Sequence, residues 1–273
     1  MASVLPIQAN PLPPSTSGDR AAPPRFKFRV RFRKAGDLRL LSHHDLMHVC
    51  ERLFRRADLR LPVSQGFNPR PRMWFALSLP LGVAGLNEIL ELELTDPLSA
   101  DEVHARLAAH APPGLEFLSV EPIEPRASAR VRRAWYRLQL PGPIAGLTSR
   151  CRDFLEQSDC WIERRRPQLR RVNIRPFVDV LCVYADRIET ATWVTPNGSA
   201  RAEEVFVALG LSALLDAGAV IERTDLEVYD ELPAGVSEAP VITSVFEEAK
   251  ESDTGSKSDR PHAIFDNPMS FDT

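Results

Sequence analysis

Apolar and cationic positions alternate without a break at the start of the patterned region. Phe26, Phe28, Val30 and Phe32 fall on one side, and Lys27, Arg29, Arg31 and Arg33 on the other. This period of two predicts a β-strand with one face in a core. A turn at Ala35-Gly36-Asp37 follows, and Ser42 with Asp45 three positions on predicts a helix N-terminus of capping-box type. Leu46, Val49, Cys50, Leu53, Phe54 and Ala57 then recur at helical spacing, which lays one stripe of that helix on the sheet. Further apolar runs predict strands at Leu61–Ser64, Trp74–Leu79, Glu88–Leu94 and Leu115–Val120 and a helix at Ser99–His110.

Residues 134–230 repeat this order. Strands are expected at Trp135–Leu140, Cys160–Arg165, Val172–Tyr184, Ile188–Val194 and Val220–Tyr229, with helices at Leu147–Gln157 and Ala202–Leu209. The predicted class is α+β: two ferredoxin-like β-α-β-β-α-β units in tandem, 25–125 and 126–231, each an antiparallel sheet with helices on one face. A single larger α+β sheet is the alternative. Six prolines among residues 1–24 mark a disordered leader, and from Leu232 to Thr273 the chain reads as an acidic mobile tail with a short helix near Val245–Lys250.

Composition adds little until it is taken by segment. The formal charge is −3, but residues 25–72 and 126–175 each carry +9, against −8 for 73–125 and −13 for 176–273. Thirty of the 34 basic residues are arginine, which favours phosphate or another polyanion as a ligand. Pairing of the cationic blocks with the acidic ones inside the fold is the alternative. No apolar run reaches membrane-helix length and no secretory signal is visible, so a cytoplasmic protein without a membrane partner is expected. Cys50, Cys151, Cys160 and Cys182 lack the spacing of a zinc, iron–sulfur or disulfide framework and read as small hydrophobes, and no cofactor is expected.

Three places carry candidate chemistry. At the helix start, His43 and Asp45 are the residues for general acid/base work, and Ser42 with the free N–H groups makes an anion site. His44, His48 and Glu51 share a face, but too few ligands accompany them for a metal centre, so no metal site is assigned. The loop Ser64-Gln65-Gly66-Phe67-Asn68-Pro69-Arg70-Pro71-Arg72 is stiffened by its prolines and would present Gln65, Gly66, Phe67, Asn68, Arg70 and Arg72, beside the helix start, at little entropic cost. The outward face of the first strand, Lys27, Arg29, Arg31 and Arg33, would form a cationic platform for an RNA backbone. It lacks the stacking aromatics of an RNA-recognition motif. Arg164–Arg166, Arg170, Arg171 and Arg175 would extend the platform.

The strings RFRKAGDLRLLSHHDLMHVCERLFRRADL, SQGFNPRPRMWFALSLPLGV and Asn87-Glu88, continued by VNIRPFVDVL and Glu222-Arg223-Thr224, resemble the radical SAM-linked (radical SAM-associated) bacterial domain of unknown function. The resemblance covers about residues 26–228, and the motif positions carried over are Ser42, His43, Asp45, Gln65, Gly66, Phe67, Asn68, Pro69 and Pro71. It departs at Arg70, where that family often has His, and at His48, where it often has Arg. It implies an association with a radical SAM protein and no established activity. The chain has no C-x3-C-x2-C motif of its own. The expectation is an accessory module that binds RNA or a ribonucleoprotein through its arginines and presents it to a radical SAM partner. An RNA-processing or modifying enzyme using His43 and Asp45, and a protein-only adaptor, are the alternatives. The non-catalytic reading is favoured.

Overall fold

The computed structural model describes residues 25–65, 67–165, 169–233, 235, 236, 238–242 and 246–248. It is a mixed α+β protein with a mostly antiparallel sheet, and no helix among the described residues is long and apolar enough to cross a membrane.

The alternating strand forms as its pattern requires. β1 (Phe26–Lys34) sits between β3 (Ala84–Leu94) and β4 (Leu115–Ile123), antiparallel to both, and sends Phe28, Val30 and Phe32 into a core. α1 (His43–Arg56) lays Leu46, Cys50, Leu53 and Phe54 on that core, and α2 (Ala100–His110), capped by Ser99 and Glu102, adds Val103 and Leu107. β2 is only Met73–Phe75, paired with β3. The strand expected at Leu61–Ser64 is reduced to a single bridge between Val63 and Pro71.

The second half contributes β5 (Val131–Gln139), α3 (Leu147–Glu156), β6 (Trp161–Arg164), β7 (Arg170–Asn173), β8 (Val178–Val183), β9 (Arg187–Trp193), α4 (Ala202–Ala208), α5 (Ser212–Asp216) and β10 (Ile221–Val228). The expected single strand Val172–Tyr184 is two: a 3-10 turn at Arg175–Phe177 separates them, with Pro176 unable to donate to a ladder. β7 pairs with β6 in a small sheet of its own, while β8 joins the main one.

The main sheet runs β4-β1-β3-β10-β5-β9-β8, with β2 also on β3. Each half therefore has the order fourth, first, third, second strand: β4-β1-β3-β2, then β10-β5-β9-β8. They join where β10 runs parallel to β3, Glu222 opposite Ala84 and Arg223 opposite Gly85. β3 is long enough to take β2 and β10 on different stretches: Leu90–Leu92 faces β2, and Ala84 and Gly85 face β10. Leu79, Val83 and Ile89 from the first half belong to the core of the second, so apolar packing crosses the junction.

The expected leader, 1–24, and residues 249–273 of the expected tail lie outside the described residues. Ile242 is buried in the second core, its carbonyl accepting from Asn197 Nδ2 at 2.7 Å. Within the segment expected to be helical, Phe246–Glu248 is a strand, β11, antiparallel to β7. The edge of β7 offers backbone donors and acceptors that a short exposed helix could not match.

Candidate functional site

The cations of β1 are not a platform. Lys27 and Arg29 turn away from the helices as predicted, but both are buried, because carboxylates from β3 and from the chain after β10 close over them. Glu91, 2% exposed, binds Lys27 Nζ at 3.0 Å and Arg29 at 2.8 Å, and accepts the Ala129 N–H at 2.7 Å. Arg29 also reaches Asp230 at 2.6 Å and Glu231 at 2.9 Å. Burial works against its charge, but these three carboxylates prevail and hold its pKa above the ordinary value. Arg31 pairs with Asp225 and Glu231, and only Arg33 is exposed, facing Glu116 at 3.9 Å. The platform expectation is thus corrected at Lys27, Arg29 and Arg31.

A second buried group lies at the junction of the halves, and sequence reasoning missed it. Arg223, 1% exposed, donates to both oxygens of Glu88 at 2.7 and 2.5 Å and to the carbonyls of Ser78 and Leu77 at 3.0 Å. Burial opposes the Arg223 charge, yet Glu88 and the Tyr136 hydroxyl raise its pKa. Lys34, fully buried, donates to the Leu41 carbonyl at 2.8 Å. Burial lowers its pKa, with Glu88 opposing. Arg223 is thus ion-paired with Glu88, and Lys34 lies within the electrostatic reach of the same carboxylate. Glu88 itself leans over Gly85, where a Cβ would fall 2.5 Å from the Glu88 Cγ. The signal available in sequence was a Glu at 88 and an Arg at 223, both inside strands that otherwise read as apolar or alternating.

His43 packs edge-on against Phe75, ring centroids 5.2 Å apart, and its Nδ1 is buried with no hydrogen-bond partner among the described residues. Burial, then Lys34, Arg223 and His44, lower its pKa, which favours the neutral imidazole. Asp45 is committed elsewhere: its carboxylate accepts from Ser42 Oγ at 2.6 Å, and its N–H donates to the same oxygen at 3.2 Å. That bond, first among the causes, lowers the Asp45 pKa. No hydrogen bond joins His43 to Asp45, so the expected acid/base pair is not assembled. The His44 and His48 rings meet edge-to-face with centroids 4.4 Å apart, and His48 meets Glu51 at 3.2 Å, but the described residues hold no group of three or more potential metal ligands.

The loop does not stand beside the helix start. Its base, Val63 and Pro71, shares a groove of about 370 Å³ with Glu51, Phe54 and Arg55. Those residues lie roughly 12–18 Å along α1 from His43 at 1.5 Å per residue. The two motifs occupy opposite ends of one helix. The loop closes as a hairpin through Ser64 N to the Arg70 carbonyl at 2.9 Å and Arg70 N to Ser64 Oγ at 3.1 Å. Gln65, Asn68 and Arg70 are exposed and Phe67 is wholly so, while Gly66 lies outside the described residues. Arg72 is instead tied down, 2.7 Å from Glu93 and over the Trp74 ring.

Around this end of α1 the cations lack the partners they have on β1. Arg52, Arg56 and Arg70 are exposed and form no ion pair with a described residue. Arg55 is exposed and its side chain reaches only the Glu51 carbonyl. Positive charge is also favoured at a helix C-terminus. In the second half Arg164 is buried against Glu204 at 2.7 Å, Arg175 donates to the carbonyls of Val178 and Leu155, Arg165 is exposed, and Arg171 lies over Trp161. Arg170 is half-buried on β7, and Arg166 falls outside the described residues. Cys50 is deeply buried, which pushes its thiol up to about 12 and leaves it inert.

No curated protein matches the chain. A family match covers residues 27–203, which takes in β1, both motifs of α1 and its loop, and Glu88, but stops short of Arg223. The chain therefore belongs to the bacterial family described as an uncharacterized protein conserved in bacteria (DUF2344).

Proposed function

We propose that this protein is an accessory module of a radical SAM system, binding RNA or a ribonucleoprotein and presenting it to a radical SAM partner. The observation that carries the RNA reading is the cluster of exposed arginines at the C-terminal end of α1, Arg52, Arg55 and Arg56, without an ion pair among the described residues, with Arg70 on the adjoining loop beside a wholly exposed Phe67. Arginine for phosphate and an aromatic for a base are the two elements of single-strand binding. Asn68, also exposed on that loop, offers both a donor and an acceptor to a base edge. These features support the loop end of α1, in preference to the face of β1, as the binding surface. The radical SAM partner rests on the motifs of α1 and the loop. The two fourth-first-third-second strand orders support reading the halves as tandem ferredoxin-like units, with the β6–β7 hairpin inserted in the second.

Filter binding of single-stranded RNA tests this. With four arginines on phosphates, the logarithm of affinity should fall against the logarithm of salt with a slope of about 3. Absence of binding at low salt, or binding indifferent to salt, would sink the RNA reading. The protein-only adaptor is kept as a second reading because the groove beside the loop is lined by Phe54, Leu59, Leu61, Val63 and Pro71. Capture of a radical SAM protein after nuclease treatment, with no RNA affinity, would favour it.

A further inference from the structure

The β6–β7 hairpin stands apart from the main sheet, and two strands of four residues each are marginal on their own. The outer edge of β7 is closed by three residues of the acidic C-terminal stretch: Phe246 is in register with Val172, Glu247 with Arg171 and Glu248 with Arg170. The chain reaches this edge from a firm anchor. Ile242 is buried, its carbonyl held by Asn197, and Ala239 N donates to the Tyr229 hydroxyl at 2.8 Å. A three-residue strand contributes few ladder bonds, and its covalent link to the anchored Ile242 raises its effective concentration at the edge. The segment also carries the charge its site calls for: two consecutive acidic residues in register with two consecutive arginines, Arg170 and Arg171, with Arg165 exposed nearby.

We propose that the outer edge of β7 is a docking edge for an extended acidic segment of a partner protein, occupied in cis by Phe246–Glu248 of this chain. Backbone pairing supplies affinity in such strand addition and side-chain charge supplies selection. The edge selects an apolar residue followed by two acidic ones, running antiparallel to β7. A partner segment gains access by displacing the short strand and leaving Ile242 seated. The surface is separate from the loop end of α1, so RNA and an acidic partner would bind independently.

The test uses the full chain, a fluorescein-labelled peptide of sequence SVFEEAK, and the double variant E247R/E248R. Fluorescence anisotropy should show the peptide binding the variant at least tenfold more tightly than the wild type, whose own strand competes. A peptide with both glutamates replaced by arginine should bind neither. Hydrogen exchange at the Arg170–Val172 amides should quicken in the variant and slow again when the peptide is added. Phe246→Pro, which removes a backbone donor from the strand, should give the same two results and guards against a misfolded double variant. Equal peptide affinity for variant and wild type, or binding to neither, would overturn the proposal. So would restored protection by oligouridylate and not by the peptide, which would make the edge a nucleic-acid surface.

Discussion

Lys27, Arg29 and Lys34 on β1, and Arg52, Arg55, Arg56 and Arg70 at the far end of α1, come from one +9 stretch of sequence, yet they meet opposite fates. The first three are buried and bonded, Lys27 and Arg29 to Glu91 and Lys34 to the Leu41 carbonyl; the others are exposed without a carboxylate partner among the described residues. The difference is position in the sheet. A residue on β1 has β3 and β4 on either side, and the chain after β10 crosses its outer face, so acidic residues remote in sequence are brought to it. The last turn of α1 packs its inner face on α2 and the core, but on its outer face no carboxylate of a described residue reaches Arg52, Arg55 or Arg56. Cations inside a sheet hold this fold together, and those at its rim remain available to a ligand.

The largest effect should come from removing a counter-charge on the buried side. Glu88→Gln leaves Arg223 buried without its carboxylate, and loss of one partner of a buried pair costs about 3–5 kcal/mol. Urea denaturation should show that loss. A cost near zero would mean that the junction between the halves is wetter than its burial indicates, and would blur the distinction between the two sets of cations.

Phe67→Ala should leave the urea midpoint unchanged and weaken single-stranded RNA binding by about 1–3 kcal/mol, roughly 5- to 150-fold, if a base stacks there. Unchanged affinity would remove the aromatic half of the proposed surface. A smaller change is expected from Arg56→Ala, which should lower the salt slope by about 0.7, the share of one phosphate on a single strand. If Arg33→Ala, on the exposed end of β1, lowered that slope equally, the boundary between holding and binding cations would have to be redrawn.

The two sets also mark how far sequence could be followed. β1 and α1 were legible because local periodicity and a Ser cap determine them. Pairing of the basic and acidic blocks was a weighed alternative, and it is what Lys27, Arg29 and Arg31 do. The partners themselves were hidden, since Glu91 meets Arg29 only through the β1–β3 register and Asp230 only through a turn some 200 residues on. The break between β7 and β8 is hidden because Val172 to Tyr184 is mostly apolar, with Asn173, Arg175 and Pro176 as the only local marks of an interruption before Phe177. The loop was placed at the wrong end of α1 because motif order along a chain says nothing about which end of a helix the chain returns to. The Arg223–Glu88 pair is built across the junction, so its only local trace is one charged residue inside each of two strands, with nothing in the sequence to join them.

The smallest expected effect lies at the helix start, between the two sets. Burial holds the His43 imidazole below its ordinary pKa, so the folded state resists the proton that the unfolded chain takes up readily. Such a group contributes stability above the unfolded pKa, about 6.5, and that contribution is lost as pH falls through the lower folded value. The urea midpoint should therefore drop between pH 7.5 and pH 5.5. In His43→Leu, which keeps an apolar contact with Phe75, the drop should be smaller. Asp45, whose pKa is lowered, titrates below this window and does not confound it. An identical drop in both proteins would show that His43 takes up its proton inside the fold, and would open the helix start to the anion that its flanking N–H groups could hold.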